Sequence, residues 1–429
     1  MIGFSRRMKL SMPVVFDAVL LAVLALPLPF SYRILPVDPT PYWLFSIIYI
    51  LVFGNIVFSL LASQINKKLF EKVQTAVVCI VIMLTVGAAL VTSIINRGKN
   101  APGGPNEVHD IILQLESGIG FLAQGKNPYY ETYFQTPLAQ WEYRELGNIA
   151  VNPALYNFVM PPWYLISSYP IWTLSHRTLG YFDGREILVF TFIGTLIVLW
   201  KWTNNKRIAR LGIILFTFAP GAVNFFIEGR SDSFALFWFL LALYFLEKKR
   251  LLVSAALFGL ALVSKQTIWF AAPFYLGYIW FSNKRPGLPM LKVLIAIGIV
   301  AGGILLPFLL WDAGAYVRST VFYLSGNSPH SYPVSGYGLG MVLYGFGIIR
   351  DIHAYYPFVL WQAALGIPTA LWACWYIRQK PSIHRLLFGY SFFLLIIWYT
   401  SRYFNNSHVL FLSTLFLLGG VKAWDEGEI

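Results

Sequence analysis

Apolar runs follow one another along almost the whole chain, near 13–35, 42–64, 73–95, 157–175, 186–202, 207–226, 231–246, 251–265, 267–282, 291–311, 336–349, 357–377, 384–400 and 405–422. Only 12% of the 429 residues are charged, against roughly 25% in an ordinary soluble domain. Inside a bilayer every backbone polar group must be satisfied by a helix or a closed barrel. Barrel strands would show as short alternating stretches, and none is seen. The expected fold class is therefore all-α, a polytopic helical membrane protein. The first run follows Arg6, Arg7 and Lys9. It is longer than a signal-peptide core and reads as a retained anchor. The net charge of +13 is clustered between apolar runs, which fits orientation in a membrane and leaves no reason to expect a nucleic-acid partner. Cys79 and Cys374 both fall inside apolar runs, which argues against a disulfide framework.

Basic residues on short loops mark the cytoplasmic side. They occur at the N-terminus, at 65–72, 201–210, 247–250, 283–285 and 378–385. Simple crossings by all fourteen runs contradict this pattern. Run 157–175 carries Pro161, Pro162 and Pro170, and 336–349 is short with five glycines. Treating both as re-entrant or interfacial leaves about twelve transmembrane helices, with both termini inside and every basic loop cytoplasmic. The outer regions are then 97–185, 227–231, 265–267, 312–356 and 401–406. The expected organisation is an N-terminal transmembrane hairpin at 1–72, a module at 73–310 carrying the large outer loop 97–185, and a C-terminal part at 311–429.

Charged residues gather in these outer regions. In the first loop a helix is expected over Asn106–Gln124, with Ile111, Leu115, Ile119 and Leu122 on one interfacial face and His109 pointing away from its neighbour. Glu107 and Asp110 lie in its first turn, where a helix dipole favours acids. Asp110 also suits a general base, which needs a carboxylate beside the attacking hydroxyl. "EGRSDS" places Glu228, Arg230 and Asp232 ahead of an apolar run. Ser231 or Asp232 could cap that helix, and Glu228 could pair with Arg230, but capping does not account for all three charges. Lys265 and Gln266 interrupt another apolar stretch. A snorkelling lysine and a phosphate ligand both fit there. "SRYFNNSH" adds Arg402 and Tyr403, which fit an interfacial anchor, and His408, an ionisable group a turn inside the last span. No Gly-rich phosphate loop, Cys/His metal spacing or nucleophile elbow is present. No cofactor is expected, and a divalent metal is left open.

"HDIILQLESGIGFLAQGKNPYYETYF", "MPPWYL" and "EGRSDSFALFWFLLALYFLEKKRLLVSAALFGLALVSKQTIWFAAPFYL" together resemble the GT-C superfamily of membrane glycosyltransferases, in particular the family 87 and glycosylphosphatidylinositol mannosyltransferases. The likeness covers roughly 73–310, with an echo at "SRYF…H". Here the hairpin 13–64 precedes the span that leads into the loop. The resemblance implies inverting transfer of a mannose-like hexose or a pentose from a polyprenyl-phosphate donor to a lipid-linked or glycan acceptor. The reaction would take place at the extracytoplasmic face of a plasma or inner membrane. Asp110 or Glu107 would be the base. Lys265 and Arg402 would hold the departing phosphate, and Glu228, Arg230 and Asp232 would orient the substrates, with Gln266, Tyr403 and His408 alongside. The alternatives are a polymerase or ligase acting on lipid-diphosphate glycans, and a lipid or glycan flippase. A flippase would distribute its polar residues through the depth of the bilayer.

Overall fold

The computed structural model describes residues 15–27, 42–100, 102–106, 108–218 and 226–428. Arg6, Arg7, Lys9 and Glu107 lie outside the described residues. The chain forms α1 (Val15–Ala25), α2 (Tyr42–Leu60) and α3 (Lys67–Lys99). The outer-loop helix α4 (Asp110–Ala123) follows, then α5 (Pro162–Leu179), α6 (Glu186–Trp202) and α7 (Lys206–Phe218). Next come α8 (Asp232–Glu247), α9 (Leu251–Leu262), α10 (Ala272–Ser282) and α11 (Gly287–Ser325). The last helices are α12 (Leu339–Gly345), α13 (Phe358–Gln379), α14 (Ile383–Tyr399) and α15 (Asn406–Asp425). Four two-residue strands, β1 (Arg144–Glu145), β2 (Asn148–Ile149), β3 (Ser335–Gly336) and β4 (Tyr403–Phe404), and short 3-10 turns lie between these helices. The all-helical expectation holds, and α2, α3, α11, α13 and α15 are each long and apolar enough to cross a membrane.

Local chemistry sets the element ends. The Asn66 side chain accepts the Lys68 N–H and starts α3. Pro162 opens α5, where a missing N–H costs nothing, and Gly180 closes it in the left-handed conformation. Helix α11 breaks at Asp312, which leaves helical dihedrals while its carboxylate accepts the Ala315 N–H at 2.8 Å. That break coincides with the expected start of the third outer region.

The two demoted runs behave differently from spans. Helix α12 has seven residues and reaches only about 10 Å, a third of a bilayer core. The glycines around it serve packing instead. Gly336 has a φ of +85°, and a Cβ there would lie 2.1 Å from the Phe404 carbonyl oxygen. This close approach lets β3 pair in parallel with β4, Ser335 opposite Tyr403, and so joins 312–356 to 401–406. Helix α5 is continuous through Pro170 but is not among the five span-like helices.

The basic loops meet at one end of the molecule. Arg207 pairs with Asp17 at 2.6 Å, Arg210 with Glu71, and Lys422 with Glu247 at 3.1 Å. Lys380 pairs with Glu428, and His384 with Glu426 at 2.5 Å. Asp425 accepts the backbone N–H groups of Asn204 and Asn205 at 3.0 and 3.2 Å. Segments 65–72, 201–210, 247 and 380–384 are thereby drawn to a common face with the end of α15. The expected outer segments lie around a cavity lined also by the start of α8, the end of α14 and the start of α15. Reporter fusions should therefore respond alike at 204, 249 and 381 and oppositely at 140. A matching response at 140 and 204 would break the two-ended arrangement.

Candidate functional site

A cavity of about 840 Å³ is lined from every expected outer region. Asp110 and Trp141 come from the first loop, Arg230 and Asp232 from the second, and Lys265 and Gln266 from the hairpin tip. Tyr323 and Tyr332 come from 312–356, and Arg402, Tyr403 and His408 from the last connection. Glu228 does not line it.

The first-loop helix differs from the sequence expectation. It begins at Asp110, four residues later than expected, because His109 is extended and its N–H donates to the Glu228 carbonyl at 2.8 Å. Of the expected apolar face Leu115 and Ile119 are enclosed by protein, with Ile112 beside them, while Ile111 and Leu122 are half-buried. With His109 outside the helix, its Nδ1 reaches Asp110 Oδ1 at 2.6 Å, which corrects the expectation that the two point apart. This short contact requires a proton on Nδ1. The Ile111 N–H, 3.4 Å from the same nitrogen, is then no donor to it. Asn152 Nδ2 donates to Asp110 Oδ2 at 3.3 Å. Burial pushes the Asp110 carboxyl up, but His109, Asn152 and the Ile111 N–H outweigh it and hold it below its ordinary value.

"EGRSD" is held against this helix start. Gly229 has a φ of +81°, and a Cβ there would lie 2.5 Å from Ile112 Cγ1 and 2.8 Å from Arg185 Cγ. Only glycine admits that approach. Glu228 pairs with Arg230 at 2.9 Å, as the simple pairing supposed. Arg230 also donates to Asn406 Oδ1 at 3.3 Å and to Ser407 Oγ, tying the start of α15 to this turn. Neither Ser231 nor Asp232 caps α8 through its side chain. Asp232 instead pairs with Lys265 Nζ at 2.7 Å, and Ser231 Oγ accepts from the same ammonium at 3.3 Å. Lys265 is therefore no free snorkelling end. An ammonium has three N–H groups, and the two used here leave one for the cavity.

The remaining sequence candidates carry structural duties. Gln266 Nε2 donates to the carbonyls of Val159 at 2.7 Å and Thr320 at 3.1 Å, joining two outer segments. Arg402 is buried, and its guanidinium donates to the carbonyls of Tyr332, Ala354 (2.7 Å) and Ile352 (2.8 Å). All three nitrogens hold the 332–354 segment, while Arg402 also lines the cavity. His408 Nδ1 accepts the Asn405 N–H at 3.1 Å in a capping box, and its ring packs edge-on to Trp398. Nε2 remains outside that box. Tyr403 lines the cavity with its ring 4.7 Å from Tyr332.

No family model, curated protein or solved structure matches the chain. The site therefore rests on its own geometry.

Sequence reasoning missed a charged cluster behind the site. Arg97 forks onto Glu116 at 2.7 Å and reaches Asp183 at 2.9 Å. Arg185 holds both Asp183 oxygens at 2.8 Å and donates to the Ile227 carbonyl at 3.0 Å. Arg97, Asp183 and Arg185 are buried. Burial raises the Asp183 carboxyl, but Arg185 and Arg97 more than compensate and hold it at about 2. The signal was present in "FDGREI", a charged turn before an apolar run, the same pattern as "EGRSD". Asn152, also missed, sits in an Asn-Pro turn and accepts the Ala154 N–H at 2.9 Å. Among the described residues no three His, Cys, Asp or Glu side chains form a metal-ligand set.

Arg402→Met should lower the melting temperature in detergent, at a cost of roughly 1.5–3 kcal/mol or more from its lost charge-assisted bonds. An unchanged melting temperature with lost ligand binding would return Arg402 to the site. Asp183→Asn removes the buried carboxylate charge that Arg185 and Arg97 both grip, and breaking such a pair costs about 3–5 kcal/mol. Far-reduced yield of folded protein by size-exclusion chromatography is expected. A normal yield would show that the cluster does not hold the site.

Proposed function

We propose that this protein is an integral membrane glycosyltransferase of GT-C type, with about twelve spans and its cavity on the extracytoplasmic side. It transfers a sugar from a polyprenyl-phosphate donor to a lipid-linked or glycan acceptor. The observation that carries this reading is one cavity faced by the Asp110 carboxylate and the Asp232-paired Lys265 ammonium. Trp269, Phe270, Phe358, Val359 and Ile397 form an apolar flank to the same cavity. A sugar phosphate and a hydrocarbon chain need that combination of polar and apolar wall.

The acceptor hydroxyl attacks the anomeric carbon while the bond from that carbon to the phosphate oxygen breaks. The electron pair leaves with the polyprenyl phosphate, and the Lys265 ammonium stabilises the growing negative charge. The hydroxyl proton passes to Asp110. A carboxylate of depressed pKa accepts it late, once the forming bond has made the hydroxyl acidic. Asp232 and Ser231 fix the ammonium, and Asn152 and His109 fix the carboxylate. Tyr323, Tyr332 and Tyr403 offer ring faces and hydroxyls to the sugar.

Release of polyprenyl phosphate by purified protein from a panel of polyprenyl-phosphate sugars tests the reaction. No release with any of them, together with movement of the intact lipid across vesicles, would favour the flippase. Asp110→Asn should remain folded and lose about 10²–10⁴-fold in turnover, the usual worth of general-base catalysis. Wild-type turnover in that variant, with loss in Glu107→Gln, would pass the role to Glu107. Because Asp110 is held below the ordinary carboxyl value, it stays ionised as pH falls toward that range. The acid limb of kcat/KM assigned to it should lie below the ordinary carboxyl range, and a limb near neutrality would require another base.

Lys265→Met keeps the stem and removes the charge. Donor affinity should fall by about ten- to a hundredfold, the worth of one charge-assisted hydrogen bond. Lys265→Arg should retain part of it. Equal affinities in titrations of wild type and Lys265→Met would remove Lys265 from the donor site.

A further inference from the structure

A second concavity lies between α6 and α8 at the basic end and shares no lining residue with the first. It is a groove of about 500 Å³ with apolar walls that include Ile197, Leu241 and Phe245. Lys201, Lys248 and Arg250 also line it, and no acidic side chain does. All three cations are exposed. Among the described residues none of them forms an ion pair, while nearby Arg207, Arg210, Lys380 and Lys422 are each matched to a carboxylate. The Lys248 ammonium lies 5.7 Å from the Tyr244 ring.

The turn that carries two of these cations is fixed. Arg250 N–H donates to the Phe245 carbonyl and Lys249 N–H to that of Leu246, both at 2.9 Å, closing α8 in a Schellman-like cap. Lys249 takes φ +57°, where glycine would be usual. Helices α6 and α8 both end here, and each C-terminus contributes roughly half a negative charge. Three cations outweigh these, so the groove keeps a net positive mouth. Its apolar wall continues along α6 through the exposed Ile193 and Phe190.

We propose that this groove binds a glycerophospholipid with an anionic headgroup from the cytoplasmic leaflet. The phosphate would sit among Lys201, Lys248 and Arg250, and an acyl chain would lie along Ile197, Leu241 and Phe245. A soluble phosphate would use the cations alone and leave the apolar wall wet, so the lipid accounts for both halves of the groove.

The test titrates purified full-length protein in neutral detergent with phosphatidylglycerol, phosphatidylcholine and free glycerol phosphate. Phosphatidylglycerol should bind and the other two should bind at least tenfold more weakly. Each basic residue near an anionic membrane surface contributes about fivefold, so K201Q/K248Q/R250Q should bind phosphatidylglycerol about a hundredfold more weakly. K67Q/K68Q/K72Q removes as many cations from another basic loop and should stay within about twofold of wild type. Single K201Q, at an exposed and unpaired position, should lose about fivefold and serves if the triple variant fails to fold. Equal losses in the two triple variants would reduce the effect to general surface charge. Glycerol phosphate binding as tightly as the lipid would assign the groove to a soluble anion. Either result overturns the proposal.

Discussion

The cavity depends on a buried charge cluster that touches none of its contents. Arg97 at the end of α3, Glu116 in α4, and Asp183 and Arg185 before α6 neutralise one another in the protein interior. Such a cluster is expensive to desolvate and does not by itself make a fold stable. Its value is positional. Arg185 also grips the carbonyl of Ile227, one residue before "EGRSD", and its stem packs where a Gly229 side chain would go. Helix α4 is thus clamped at Glu116, and the turn bearing Asp232 at Ile227, by connected groups. The carboxylates of Asp110 and Asp232 inherit their placement from that clamp.

The outer segments are bound to each other mainly by side chains donating to carbonyls. Gln266 joins Val159 to Thr320, Arg402 gathers Tyr332, Ile352 and Ala354, and Arg230 fastens α15. These segments have little regular structure with which to satisfy their own backbone, so long polar side chains do it. A roof built this way needs no extended sheet, since β3 and β4 contribute only two residues each.

Much of this was legible in the sequence. Apolar runs gave the helices, and of the basic loops 65–72, 201–210, 247–250 and 378–385 meet at one end as grouped. Charged turns ahead of apolar runs marked Asp232 and Lys265, because an ionisable group there must find a partner. The sequence shows Arg402 and Gln266 as polar residues but not the carbonyls that each one also holds. The start of α4 was misplaced because the Glu228 carbonyl, more than a hundred residues away, captures the His109 N–H. The Arg97–Asp183 pair spans 86 positions, and periodicity carries no record of such a partner. The short reach of α12 was readable because the run is short and interrupted by five glycines, whereas the contact of Gly336 with Phe404 was not.

Helix α15 follows every other described element in the chain, yet its first turn supplies Asn406, Ser407 and His408 to the cavity region, and its last turn holds Asn204 and Glu247. During synthesis the ribosome has therefore already delivered all the other described helices before either end of the molecule can close. Until then Arg230 lacks two of its acceptors, and Lys380 and His384 lack their carboxylate partners. A nascent chain halted before α15 would lie in the membrane as a set of inserted helices with an open, wet interior. Quality control could tell it from the finished protein by that interior alone.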